Sequence, residues 1–140
     1  MAKKSLGTKL QIAETTPITV GSLTSINGLE VSADTIDVTT LDSTDGYREF
    51  IQGFKDGGEV SVEGYLDVAT GNGQKEMLDL FDSGEVKPFE IVFPATLNAK
   101  WAFNGIVTGF STGASLEDPL SFSATIKVTG KPTLTVTVTP

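Results

Sequence analysis

Apolar and polar residues alternate along most of this chain, the period of strands that bury one face of a sheet and wet the other. The cleanest run sets Leu120, Phe122, Ala124, Ile126 and Val128 against Ser121, Ser123, Thr125 and Lys127. A second sets Val60, Val62 and Leu66 against Glu59, Ser61 and Glu63, and a third puts Phe89, Ile91 and Phe93 on one face between Pro88 and Pro94. Trp101, Phe103 and Val107 alternate through a run weakened by Gly105 and Gly109. Thr35-Ile36-Asp37-Val38-Thr39 carries β-branched residues suited to a pleated surface. Shorter pieces, Lys9–Ala13, Ile18–Val20, Leu23–Ile26 and Leu29–Val31, complete the front of the chain, with Asn27-Gly28 read as a two-residue turn because both tolerate positive φ. Leu134, Val136 and Val138 alternate with threonines in a strand-like tail over 131–140, which pairs either within its own chain or with a neighbouring one.

From Gly73 the period changes from two to about 3.6. Met77, Leu78, Leu80 and Phe81 fall on one stripe, Lys75, Glu76, Asp79 and Asp82 mostly on the other. Asn72 or Gly73 can cap the start, Glu76 suits the positive N-terminal end, and Gly84 can close the helix in a left-handed conformation. The pattern predicts one short helix over about 73–83, packed by its stripe on the sheet.

The connection from Asp42 to Gly58 is unusual: about seventeen residues where compact connections run about two to six. Turn chemistry stands at its ends, in Asp42–Gly46 and Lys55–Gly58, and apolar bulk in its middle, in Tyr47, Phe50, Ile51 and Phe54. Aromatics do not rest in water in such numbers, so the loop folds back on its own body or docks on a neighbour. With Arg48, these residues are the types enriched at interface hot spots.

A chain of 140 residues suits one domain, here 1–140 with a flexible arm over 1–7. The expected class is mainly β, a sandwich or barrel with one helix and one long loop. No apolar run approaches the roughly twenty residues that span a bilayer, so no membrane partner is expected. The absence of cysteine removes disulfides, and the absence of histidine removes the usual base near neutral pH and the commonest transition-metal ligand. The net charge of −8 is uneven. Eleven acids face only Arg48 and Lys55 between Glu14 and Asp67, whereas the rest of the chain sets seven acids against eight lysines. Such a surface repels a phosphate backbone and argues against a protein that grips nucleic acid.

Three motifs lead to no chemistry. Gly109-Phe110-Ser111-Thr112-Gly113 has the G-x-S-x-G spacing of serine hydrolases, but no histidine exists to take the serine proton and no helix pattern follows. Gly71-Asn72-Gly73 lacks the third glycine of a dinucleotide loop and the Gly-Lys-Ser/Thr of a P-loop, and reads as helix capping. Asp42 and Asp45, with Asp34 and Asp37 nearby, lack EF-hand spacing and read as a turn. No enzyme, metal or cofactor is expected.

The order of residues from Ser32 to Gly64, SADTIDVTTLDSTDGYREFIQGFKDGGEVSVEG, resembles the major tail tube proteins of bacteriophages with long, non-contractile tails. The helix from Gly73, the Pro88–Pro94 strand and the final Ser121–Gly130 strand extend the likeness over nearly the whole chain. The resemblance implies a virion protein whose copies form rings, thought to be hexameric, that stack into a tube through which DNA passes without specific binding. It implies assembly in the host cytoplasm and partnership with itself and with tape measure, tail terminator and distal tail proteins. It assigns the subunit and ring contacts to Tyr47, Arg48, Phe50, Ile51 and Phe54, and Asp34, Asp37, Glu59 and Glu63 are candidates for the lumen. Two other readings stay open on these residues. One is the tube protein of a related contractile or secretion machine. The other is a small β-sandwich that binds carbohydrate, with Trp101 and Tyr47 as stacking platforms.

Overall fold

The alternation through Leu120–Val128 belongs to the longest strand of the fold. A computed structural model describes residues 5–13, 17–68 and 73–136. In chain order the strands are β1 Lys9–Ile12, β2 Ile18–Val20, β3 Leu23–Gly28, β4 Ser32–Asp37, β5 Phe50–Asp56, β6 Glu59–Tyr65, β7 Lys87–Val92, β8 Ala99–Ser115 and β9 Asp118–Val136, with helix α1 at Gln74–Ser83 between β6 and β7.

Seven strands form one antiparallel sheet in the order β2-β1-β7-β8-β9-β6-β3. Its two outermost strands, β2 and β3, are joined through Gly21 and Ser22 alone. Strands sit about 4.8 Å apart, so a flat sheet of this order would part its edges by roughly 29 Å. Three extended residue steps span at most about 11 Å. The sheet must therefore roll up until its edges meet, which gives a barrel with a seam between β2 and β3.

Inside the roll lie Leu10, Ile12, Val60, Val62, Phe89, Ile91, Phe103, Val107, Phe122, Ala124, Ile126 and Val128, all buried. These are the inward positions that the alternation predicts. Leu120 is exposed, because the β8–β9 ribbon there has run beyond the core. β8 carries register shifts between Val107 and Gly109, which is why Val107 and Phe110 both turn inward although an odd number of steps separates them.

Helix α1 begins and ends as its capping residues dictate. Gly73 is the N-cap at φ 94° and Gly84 the C-cap at φ 69°; Asn72 lies outside the described residues. A Cβ at Gly73 would stand 2.7 Å from the Thr19 carbonyl oxygen, so the helix approaches β2 only because this residue has none. Met77 is fully buried and Leu80 packs against the core, while Phe81 is half-exposed at the stripe's margin.

Three sequence readings are corrected. Asn27-Gly28 is no turn; both lie in β3, paired with Ser61 and Val60 of β6. The connection from Asp42 to Gly58 is not a loop throughout, because its second part is β5, paired with β4 through Ser32↔Asp56, Ile36↔Ile51 and Asp37↔Phe50. Leu29–Val31 is not a strand but the break between β3 and β4; among the described residues β6 lies between β9 and β3, and β4 pairs with β5 alone. The tail pairs within its own chain, Leu134 with Trp101 and Val136 with Ala99. Residues 1–4 of the expected arm and 137–140 of the tail lie outside the described residues.

Candidate assembly interface

The β4–β5 pair continues the β3–β6 pair. Gly28 faces Val60, and four residues further along each strand Ser32 faces Asp56, so both ladders keep one register. The ribbon breaks where Leu29 takes φ 60° and Gly58 takes φ 78°. A Cβ at Gly58 would come within 2.8 Å of the Glu30 carbonyl oxygen. The carbonyl of Gly58 instead accepts from the Val128 N–H at 3.0 Å, which holds β6 to β9 while the outer half of the ribbon departs as an arm. Leu29, buried in the core, fixes the point of departure.

Beyond this break the ribbon pairs with no other strand among the described residues. Ile36 and Ile51 pair across one face and Phe50 stands on the other, while Phe54 sits at the bulge where Gly53 and Phe54 together oppose Asp34. Phe54 is 91% exposed and Tyr47 74%. A two-stranded ribbon alone in water is marginal, and one that wets apolar side chains on both faces lacks the burial that would hold it. The sequence-selected residues Tyr47, Phe50, Ile51 and Phe54 are thus brought together on one projecting element, with Val38 and Leu41 exposed beside them.

The arm is secured at both ends by carboxylates. At its tip Asp37 accepts from the Thr39 N–H at 2.9 Å and from Arg48 Nη1 at 3.0 Å, while Glu49 N–H donates to the Thr39 hydroxyl at 2.8 Å. Arg48 is therefore engaged inside the arm. Hydrogen bonds from the Thr39 hydroxyl and then its N–H hold the Asp37 carboxyl below its ordinary value, with Arg48 a smaller cause. At the base, Asp56 Oδ1 accepts from Lys127 Nζ at 2.9 Å and from the Gly58 N–H at 2.7 Å. Lys127 first, and the Gly58 N–H second, lower the Asp56 carboxyl. A lowered carboxylate contributes above its unfolded value and stops contributing as pH falls through its folded one. The arm base is accordingly expected to keep its contact from neutral pH down to the ordinary carboxylate value near 3.8 and to lose it below. NMR shifts of Gly58 and Lys127 followed from pH 7 to pH 2 check this; a step between pH 5 and 7 contradicts it.

The four acids proposed for the lumen do not form one group. Asp34 and Asp37 lie on the arm, whereas Glu59 and Glu63 stand on the outer face of β6, exposed beside Ser61 and Tyr65. Across the ladder Glu59 faces Lys127 and Glu63 faces Ser123. Ser121, Ser123 and Thr125 of β9 and Ser111 of β8 continue this outer face, which is therefore hydroxyl-rich and polar.

One residue of weight escaped the sequence reading. Gln74 is completely buried; its Nε2 donates to the carbonyls of Gly21 at 3.0 Å and Tyr65 at 2.9 Å, and its Oε1 accepts from the Asp67 N–H at 2.9 Å. It ties the β2–β3 link, the end of β6 and the start of α1 together. The available signal was a polar residue three before Met77, on the helix's inward stripe.

Gly109–Gly113 lies within strand β8. Among the described residues no group of His, Cys, Asp or Glu is placed to hold a metal ion, and no helix is long and apolar enough to cross a membrane.

A rolled antiparallel sheet with one helix and a projecting two-stranded ribbon defines a mainly β protein of the tail tube fold. The chain belongs to the lambda phage tail tube protein family, whose model matches residues 6–135. It is a tail tube protein, a structural component of virion particles. Among solved structures, a chain of the virion of a native gene transfer agent particle superposes with TM-score 0.80 at 20% identity, covering 96% of this chain and 100% of the other. A chain from the tail of the empty gene transfer agent particle, refined with C6 symmetry, gives TM-score 0.80 at 21% identity, covering 96% and 100%. The SPP1 tail tube gives TM-score 0.68 at 13% identity, covering 94% of this chain and 78% of that one. No curated protein matches the sequence.

Proposed function

We propose that six copies of this chain close into a ring and that rings stack into the tail tube, with the β4–β5 arm reaching across to neighbouring subunits. The observation that carries this reading is the arm itself: apolar on both faces, held at its base by Lys127 and Asp56, and uncovered by its own chain. The number six is supported by the C6 symmetry of the gene transfer agent tail, which shares the fold. Stacking joins one face of a ring to a different face of the next, a heterologous contact that propagates into a filament.

Tyr47, Phe50, Ile51 and Phe54 make the contacts in this proposal, and Arg48 shapes the tip that presents them. The bore is lined by the polar outer face of β6, β9 and β8, including Glu59 and Glu63, whose like charge keeps DNA from adhering. Asp34 and Asp37 travel with the arm, so their facing the bore depends on how the arm docks. The chain's role is mechanical, with no catalytic step. Assembly takes place in the host cytoplasm with tape measure, terminator and distal tail proteins as partners.

Electron cryomicroscopy of the purified protein at rising concentration tests the whole. Tubes of six-fold rings, with Glu59 and Glu63 toward the bore, are expected. A protein that stays monomeric at every concentration, or a bore lined by α1, overturns the reading.

A further inference from the structure

The longest hairpin of the fold ends in a surface as unsatisfied as the arm. Between β8 and β9 the turn Ser115-Leu116-Glu117-Asp118 stands clear of the body, with Leu116 at 101% exposure. Neither Glu117 nor Asp118 makes a side-chain ion pair with a described residue.

Along the same strand, where β9 bulges at Gly130, a groove of ≈ 770 Å³ opens between the arm base and the body. Val31, Lys55, Trp101, Lys127, Lys131 and Pro132 line it. Ligand-sized sites run from about 300 to 1,000 Å³, so it accommodates the side chains of a turn and not a folded domain. Cations are scarce in this acidic chain and most are committed: Arg48, Lys75, Lys87, Lys100 and Lys127 each face a carboxylate. Among the described cations only Lys9, Lys55 and Lys131 have no such partner, and two of those three flank this groove. The groove thus offers two unpaired positive charges around an apolar floor, and the turn offers two unpaired negative charges around an exposed leucine.

Turn and groove cannot meet in one molecule. Asp118 and Lys127 lie on one strand, and at about 3.3 Å per residue their separation is roughly 30 Å. Only another copy can bring them together. Because the two surfaces differ and sit toward opposite ends of the β8–β9 ribbon, the contact is head-to-tail, the kind that continues from copy to copy wherever the rotation between them does not close it into a ring.

We propose that the β8–β9 turn of one copy seats in this groove of the next copy along the tube, with Glu117 and Asp118 facing Lys55 and Lys131 and Leu116 lying on Trp101 and Val31. The proposal rests on the tube reading above and names one of its ring-to-ring contacts. Opposite charges brought together across an interface fix register and exclude wrong alignments.

The test is a charge reversal with rescue. Variants E117K/D118K and K55E/K131E, and the two combined, are compared with the wild-type chain for the concentration at which tubes appear in sedimentation and negative-stain images. Each reversal alone is expected to raise that concentration at least tenfold, and the combination to return it to within about threefold of wild type. The tip reversal takes the net charge from −8 to −4, which by general repulsion would ease association, so a loss of assembly reports a lost specific contact. Unchanged urea midpoints exclude misfolding, since all four side chains are exposed. Tubes that ignore the reversals, or a combination no better than either half, overturn this contact and leave the tube reading standing. A wild-type chain that never polymerises overturns both.

Discussion

Replacing Phe50, Ile51 and Phe54 together by Ser is expected to abolish tube formation at concentrations where the wild-type chain polymerises, and to leave a folded monomer. None of the three belongs to the buried core, and each is more than half exposed. Burying such side chains fully is worth about 1.5–3 kcal/mol each. Discounting the cover they already have, the three lose on the order of 3–5 kcal/mol per contact, a factor of roughly 10² to 10⁴ in affinity. Exposed substitutions usually change stability by about 0.5 kcal/mol or less, so the unfolding midpoint should hardly move. Serine also weakens strand propensity, which could loosen the arm without touching any interface. A parallel variant with Thr at the three positions keeps a high strand preference and separates the two effects. Loss of tubes in both variants, with β6 amides still protected from hydrogen exchange, is the expected result. Tubes of normal length from either would remove the arm from the interface.

The second large effect lies in the interior. Gln74→Leu keeps the volume of the side chain nearly constant but strips partners from the Gly21 and Tyr65 carbonyls and from the Asp67 N–H. A buried polar group left unpaired costs about 1–3 kcal/mol, and because water reaches these part-buried groups in some measure, a loss of about 2–4 kcal/mol is expected. Against a typical total of about 5–15 kcal/mol, this is a large fraction of the stability. Urea denaturation measures it, with Phe81→Ser on the half-exposed margin of the same helix as the control that should lose far less. Equal losses in both would mean that Gln74 acts as ordinary filler. The expected cause is instead loss of the seam: β2 and β3 are not hydrogen-bonded to each other, and Gln74 bonds to the link between them and to the end of β6.

The family resemblance carried by Ser32–Gly64 held, and so did the strands at the two ends of that stretch, although the continuous loop read between them did not. Phe50-Ile51-Gln52-Gly53-Phe54-Lys55-Asp56 has adjacent apolar residues and a central glycine, so neither period stands out in it. The reason is that β5 buries neither face in its own chain, and a strand shows alternation only where one face is packed and the other wet. Asn27-Gly28 misled in the opposite way. Its residues tolerate a turn, but the ladder with β6 over Leu23–Gly28 outweighs a local preference of that size. The four acids proposed for one surface were grouped by alternation along two strands, and the break at Leu29 and Gly58 sends those strands to different parts of the molecule.

From the residues alone came the mainly β class, the inward set of β6, β7 and β9, the position of α1 with its Gly84 cap, and the family. Each of these is written locally, because a side chain buried against its own molecule must recur at the period of its backbone. The tertiary structure alone decided the strand order, the rolled seam, the division of the long connection into an arm and a turn, and the burial of Gln74. These depend on which distant segment lies beside which, and neighbouring residues exert no influence over that choice.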